Sequence, residues 1–323
     1  MIRIGIVGAG GNGSGHARRF AGDDRTEVTA VADPNVELGR RLAEEVDARH
    51  VSDLTGFLDD VDAVVISSPN FMHPDHAVAL AQAGKHLLVE KPMALSVDDA
   101  DRMVQAVEEA GVATMVGFSV RFDSAVRAIV DLYRAGQLGE IVSIWSRRCK
   151  YSKPPEGAPT HWRHQFEKSG GFISELMAHE IDWVCDAAGL PTQVYCRKAS
   201  RSKNHPRAND HVWLTMALGE EATGTLEGSV MAPIADYYRG IVGTKASAFT
   251  TEWGQKVKLH HAGEQGEVDV ELPGNADKHS MWLDAIEGKA ESPCDVAWGR
   301  DIVRVTDAAL RSAVEGRAID LDW

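Results

Sequence analysis

No stretch of this chain approaches the roughly 18 consecutive apolar residues that a membrane-spanning helix needs. Nor do any of its four cysteines stand at CxxC or zinc-ligand spacing. Cys149, Cys185, Cys196 and Cys294 therefore read as reduced thiols of the core or surface, outside any disulfide framework or zinc site. Basic charge is scarce as well. Only 34 Lys and Arg stand against 48 Asp and Glu, for a formal net charge of −14, and the basic residues form no long run. That argues against nucleic acid and anionic membranes, which need a concentrated cationic footprint. Internal repeats and low-complexity segments are absent. The first strand-like run starts at residue 2, which leaves no room for a signal peptide, so the expected location is the cytoplasm.

What is present suits two domains. A chain of 323 residues with 44% apolar content can fill two cores. Strand and helix patterns alternate through its first part. Strands fit Ile2–Val7, Glu27–Ala32, Asp62–Ser67, His86–Glu90 and Ala113–Phe118, with helices at about Gly13–Phe20, His73–Ala83 and Val97–Ala110, the last capped by Ser96. Such alternation predicts a parallel sheet covered on both faces.

After Arg121 the rhythm changes. One helix, Ser124–Ala135, is followed by strand-like segments at Ile141–Tyr151, Gln193–Ser200, His211–Leu218, Thr223–Met231 and Tyr237–Val242, and a helix over Arg300–Val314 closes the chain. Within His211–Leu218, Val212, Leu214, Met216 and Leu218 share one face, as in an antiparallel sheet with one face on the core. Trp213 on the other face, with Trp145 from another strand, fits either a face covered by a second subunit or two singly exposed tryptophans. The expected fold is α/β: an N-terminal Rossmann domain over residues 1–121 and a C-terminal α/β domain over 122–323 with a large open, mainly antiparallel sheet.

The first strand runs into Gly8-Ala9-Gly10-Gly11-Asn12-Gly13, a GxGxxG motif. Gly8 allows the tight turn, Gly10 lets backbone approach a phosphate, and Gly13 lets the following helix pack closely on the strand. Unpaired N–H groups at the helix start, with Gly11 and Asn12 among them, suit a pyrophosphate. The second strand ends in Asp33, 20 residues beyond Gly13, where a carboxylate accepts hydrogen bonds from the adenosine ribose. It also repels a 2′-phosphate, so NAD is preferred to NADP. Arg40 and Arg41 read as a solvated helix face.

Two further segments carry chemistry. Lys91 ends the strand His86–Glu90, precedes Pro92, and lies at the carboxyl end of the sheet, where ligands bind in α/β folds. The run Gly170 to Trp183, read as a helix, puts Glu175, His179 and Asp182 on one polar face, with Ile173, Met177, Ile181 and Val184 opposite. A satisfied core histidine is the bland alternative. No third or fourth metal ligand stands nearby at recognisable spacing, so no metal is expected.

On these residues the chain resembles the Gfo/Idh/MocA family of glucose–fructose oxidoreductases and inositol dehydrogenases. The resemblance runs through Ser68-Pro69-Asn70 with His73, Gly84-Lys85-His86 into Glu90-Lys91-Pro92, Gly117-Phe118 with Arg121-Phe122, the Gly-rich helix, and the late Ala285-Ile286-Glu287-Gly288 and Gly316-Arg317. It implies a Lys–Asp–His catalytic group, matched by Lys91 and His179, with Glu175 at the aspartate position. Met177 replaces the usual glycine and is expected to crowd the pocket. The resemblance implies further cofactor contacts from Ser67, Pro69, Asn70, His73, Glu90, Lys91 and Arg163. It implies substrate contacts from Lys91, Arg121, Tyr151, Arg163 and His179. His161, Trp162, Asn209, His211, Tyr237 and Arg239 are weaker substrate candidates.

The implied activity is NAD-dependent oxidation of a secondary hydroxyl on a sugar, anhydrosugar or cyclic polyol, by a homodimer or homotetramer. Two alternatives stay open: a redox-neutral NAD-dependent glycosidase and a non-catalytic dinucleotide-binding sensor.

Overall fold

The computed structural model describes residues 1–151, 161–199 and 211–323. They form two compact units. The first comprises Met1–Gly117, Glu167–Ser169 and Asp277–Val303; the second comprises Phe118–Phe166, Gly170–Ala276 and Arg304–Trp323.

In the first unit six parallel strands, β1 (Ile2–Val7), β2 (Thr26–Ala32), β3 (Arg49–Val51), β4 (Ala63–Ile66), β5 (His86–Val89) and β6 (Thr114–Val116), lie in the order 3-2-1-4-5-6. The connecting helices are α1 (Gly11–Ala21), α2 (Val36–Glu45), α3 (His73–Gln82) and α4 (Val97–Ala110). Each of the five expected strands is present to within two residues, and α2 carries Arg40 and Arg41 as the expected helix after Asp33, while β3 was not foreseen. The apolar runs of β1, β4 and β5 are buried because helices cover both faces, and each large aliphatic side chain so buried contributes about 1.5–3 kcal/mol. Ser96 caps α4 by accepting from the Asp99 N–H, and Gly111 ends the helix in the left-handed region at φ 63°.

Strand order reverses between β1 and β4, which makes their carboxyl ends the switch point of the sheet. Gly8 sits there with φ +96°, and a Cβ on it would come within 2.6 Å of the Ser67 carbonyl oxygen. Only glycine lets the two strand ends lie this close.

The chain returns to this unit late. Helix α8 (Lys278–Ile286) sets Trp282 edge-on to Phe20 of α1, with ring centroids 5.6 Å apart. Beyond it, the Val116 N–H donates to the Cys294 carbonyl oxygen at 2.7 Å. The expected single division after residue 121 contains no such return.

The second unit is built on a nine-stranded sheet. Its strands are β7 (Ile141–Tyr151), β8 (Pro191–Ala199), β9 (His211–Leu218), β10 (Ala222–Ser229), β11 (Met231–Gly243), β12 (Ala246–Thr251), β13 (Lys256–His261), β14 (Val268–Val270) and β15 (Ile319–Asp320). They lie in the order 14-13-12-11-7-10-9-8-15, and every neighbouring pair is antiparallel except β7 with β10. Helices α5 (Ser124–Arg134) and α7 (Ala178–Ala188) cover one face. Short α6 (Phe166–Ser169) precedes α7, and α9 (Val296–Glu315) runs from the first unit into the second. Along β9, Val212, Leu214, Met216 and Leu218 are buried while Trp213 and Thr215 face outward, as the alternation predicts. Two expected segments differ in extent: β10 stops at Ser229, and β11 starts six residues earlier than expected, with a register shift between Met231 and Asp236.

Candidate active site

In the first unit the candidate cofactor site is the turn from β1 into α1. A Cβ at Gly13 would overlap the Gly8 carbonyl oxygen, so the close helix–strand approach depends on glycine there. Gly10, Gly11 and Asn12 are exposed, and nothing lies within 4 Å of where a Cβ on Gly10 or Gly11 would sit. Among the described residues no side chain caps α1, and its first N–H groups suit an anionic ligand. Among the described residues, the buried hydroxyl of Ser67, across the switch point, has no hydrogen-bond partner. Asp33 accepts from the Ala9 N–H at 2.7 Å and the Asn35 N–H at 2.8 Å, which ties the ribose-facing carboxylate to the glycine turn. An open cradle, an unpartnered hydroxyl and an anchored carboxylate fit NAD.

Lys91 follows β5, and its bond to Pro92 is cis. Its backbone N–H donates to Glu90 Oε2 at 3.3 Å. Among the expected cofactor contacts, His73 has both ring nitrogens committed to the protein and Asn70 its amide nitrogen. His73 is 1% exposed, and its two ring nitrogens meet the carbonyl oxygens of Ser68 (2.8 Å) and Pro92 (2.9 Å). Asn70 is buried and donates from Nδ2 to the Ser169 carbonyl at 3.0 Å. Pro69 starts the 3-10 turn that carries Asn70. Glu90 lies 2.9 Å from His16 Nε2 and 3.7 Å from Lys278 Nζ. Burial alone would raise the Glu90 pKa. The His16 hydrogen bond and the charges of Lys278, His16 and Lys91 outweigh it and hold the carboxyl well below the usual range.

A separate group of candidate residues lies in the second unit. Glu175 sits in a π-helical turn, Ile173–Met177, that leads into α7, and His179 is in the first turn of α7. Both are buried, at 5% and 6% exposure. Arg163 Nε approaches Glu175 Oε1 at 3.3 Å, with its guanidinium over the Trp162 ring. π-Turns of this kind occur often at functional sites.

The expected polar stripe is divided. Asp182 is fully buried and takes a bidentate contact from Arg121, Nε at 2.9 Å and Nη2 at 2.5 Å, while Arg121 Nη1 reaches Asp186 at 3.2 Å. Arg121 is thereby committed to α7, which corrects its expected role as a substrate contact. Met177 is also corrected: its sulfur lies where a Cβ on Gly228 of β10 would be, so it packs on the sheet instead of crowding a pocket.

Tyr151 stands 57% exposed at the end of β7, opposite Met231. Arg239, a weaker substrate candidate, is buried against Glu180 at 2.8 and 2.9 Å. Asn209 lies outside the described residues. Sequence reasoning missed His16, Lys278 and His279. His16 had a faint signal, as a polar residue on the buried stripe Gly13, His16, Ala17, Phe20 of α1; the other two had none.

Comparison with known proteins identifies the family and the fold. The family model for Gfo/Idh/MocA oxidoreductases with an NAD-binding Rossmann fold matches residues 2–118, and that for the family's C-terminal domain matches 126–249. The 2,7-anhydro-N-acetylneuraminate hydratase of Escherichia coli (strain K12) is 31% identical over 76% of this chain and 67% of its own length. The scyllo-inositol 2-dehydrogenase (NADP(+)) of Bacillus subtilis (strain 168) is 25% identical over 99% of this chain and 96% of its own. A levoglucosan dehydrogenase solved with NADH and levoglucosan superposes with a TM-score of 0.89, at 21% identity and 99% coverage of both chains, a likeness of fold.

Proposed function

The chain belongs to the Gfo/Idh/MocA oxidoreductases with an NAD-binding Rossmann fold, and from that premise we propose that it oxidises a secondary hydroxyl of an anhydrosugar, sugar or cyclic polyol. The observation that carries the reading is the buried pair Glu175 and His179, set one turn apart at a π-turn, in a chain whose other unit bears the NAD cradle and Lys91. When bound, the nicotinamide supplies the hydride acceptor. His179 takes the hydroxyl proton as general base, since histidine titrates close to working pH. Lys91 hydrogen-bonds the same oxygen and stabilises its developing negative charge. Glu175, itself held by Arg163, orients or charge-balances His179 or Lys91. The anhydrosugar preference is supported by the relatives, two of whose names carry such a substrate.

The test is NADH formation across anhydrosugars, sugars and inositols, with Lys91→Ala and His179→Ala alongside. Each substitution is expected to lower kcat by about 10²–10⁴-fold with NAD binding retained. Unchanged turnover in both variants would refute the assignment.

A second reading has one specific support: the relative at 31% identity is named a hydratase. In that reading the chain binds NAD tightly, converts an anhydrosugar and accumulates no NADH. Product analysis by mass spectrometry separates the two. The homo-oligomer expected from the resemblance would cover the open sheet face, where Tyr195, Thr215, Thr225 and Trp145 lie in register across four strands and Trp213 is 44% exposed. Light scattering tests that expectation against a monomer.

A further inference from the structure

Behind Glu90 a chain of titratable groups runs out to the start of α8. His16 Nε2 is 2.9 Å from Glu90 Oε1, His16 Nδ1 is 2.8 Å from His279 Nε2, and His279 Nδ1 is 3.3 Å from Asp277 Oδ1. The two histidines are 263 residues apart in sequence. Each contact needs a proton between its heavy atoms, because two lone pairs facing at such distances repel. Three contacts therefore need three protons, and two neutral imidazoles carry only two.

We propose that His16 and His279 hold one shared extra proton between Glu90 and Asp277, and that this charge fixes the Glu90 carboxylate against the Lys91 peptide. His16 and His279 are thus positioning residues for Lys91, which rests on the reading of Lys91 as the substrate-facing lysine.

The surroundings fit that count. Both end groups stay ionised. Against the effect of burial, Glu90 is held low by His16, Lys278 and Lys91, and Asp277 by hydrogen bonds from Arg19 and Ser280. A second extra proton is resisted, because burial, then the charges of His16 and Lys278, lower the His279 pKa to about 4. The groups facing the pair are Arg19 and the Phe20 ring edge from α1, Glu90 and Lys91 after β5, and Asp277, Lys278 and Ser280 at α8. His73 of α3 acts on the same carboxylate through space. Glu90 in turn accepts the Lys91 N–H and fills the space where Gly117 lacks a side chain, 2.9 Å from where a Cβ would stand. Loss of the shared proton at alkaline pH turns one contact repulsive and removes the cation nearest Glu90, which loosens the Lys91 peptide.

The first test uses the wild-type protein. Ring-nitrogen NMR of selectively 15N-labelled histidine, with signals assigned by His16→Asn and His279→Gln, is expected to show three protonated ring nitrogens shared by the two residues at neutral pH. Two would overturn the shared proton. The second test is His279→Gln, whose amide accepts from His16 Nδ1–H and cannot become charged. Its kcat is expected to fall about tenfold, the worth of one charge-assisted hydrogen bond, with a displaced alkaline limb and unchanged KM for NAD. A kcat–pH profile identical to wild type would overturn the positioning role. Should no substrate turn over, the pH dependence of Lys91 acylation, read by peptide mass spectrometry, decides instead. A difference between wild type and His279→Gln supports the role, and identical profiles overturn it. Failure of the dehydrogenase reading and failure of the shared proton are thus separate results.

Discussion

Glu180→Gln tests how the helix that carries His179 is held. Glu180 is fully buried on α7 and takes Arg239 at 2.8 and 2.9 Å, Ser146 at 2.5 Å and Arg148 at 3.3 Å, all from strands β11 and β7. Burial alone would raise its pKa; the charge and hydrogen bonds of Arg239, then Arg148 and Ser146, instead bring it down to about 2. Against an ordinary glutamate near 4.5, a gap of about 2.5 units corresponds to about 3 kcal/mol of folding free energy. Removing one member of a buried ion pair costs about 3–5 kcal/mol, which agrees with that figure. For a unit of this size the expected fall in Tm is roughly 6–15 °C. The sign of the pH dependence follows from the lowered pKa. The stabilisation is fully present above the unfolded value near 4.5 and is lost as pH falls towards about 2, where wild-type Glu180 is protonated and resembles glutamine. Scanning calorimetry of both proteins at pH 7, 5 and 3 checks this. The deficit should be equal at pH 7 and 5 and smaller at pH 3. Equal Tm values at pH 7, or a deficit that ignores acid, would refute the reasoning.

Three further outcomes are expected. Gly13→Ala should abolish NAD binding by calorimetry, since its Cβ would overlap the Gly8 carbonyl and force α1 off β1. Asp33→Asn should reduce the preference for NAD over NADP by about tenfold in kcat/KM, through loss of a charged ribose acceptor and of repulsion towards a 2′-phosphate. It keeps an acceptor for the Ala9 N–H, so the fold should hold by circular dichroism. Met177→Ala should destabilise by about 2–5 kcal/mol in urea unfolding with KM for the sugar unchanged, because the side chain fills the gap over Gly228; a changed KM with unchanged stability would return Met177 to the pocket.

The parts of this molecule legible in the sequence are those whose causes are local. Helix α4 was bounded to the residue, with Ser96 acting within one turn of its start, and β1 because a buried parallel strand needs only its own apolar run. The glycine turn was legible for the same reason: its requirement is steric and lies within six residues. What escaped was set by chain segments far apart. Nothing near His279 says that it meets His16, because that contact exists only once α8 has packed Trp282 against Phe20. The polar stripe failed in a more instructive way. Reading Glu175, His179 and Asp182 as one face assumes a constant turn of about 100° per residue. The π-turn at Ile173–Met177 takes about one residue more per turn, so positions before and after it no longer share a phase. Asp182 falls to Arg121, Met177 to the sheet, and Glu180, which had no role in the sequence, becomes the anchor of the helix. The irregular turn therefore separates two tasks within eight residues: α7 is bound to the sheet by Glu180 and to Arg121 by Asp182, while the chemistry is proposed for Glu175 and His179.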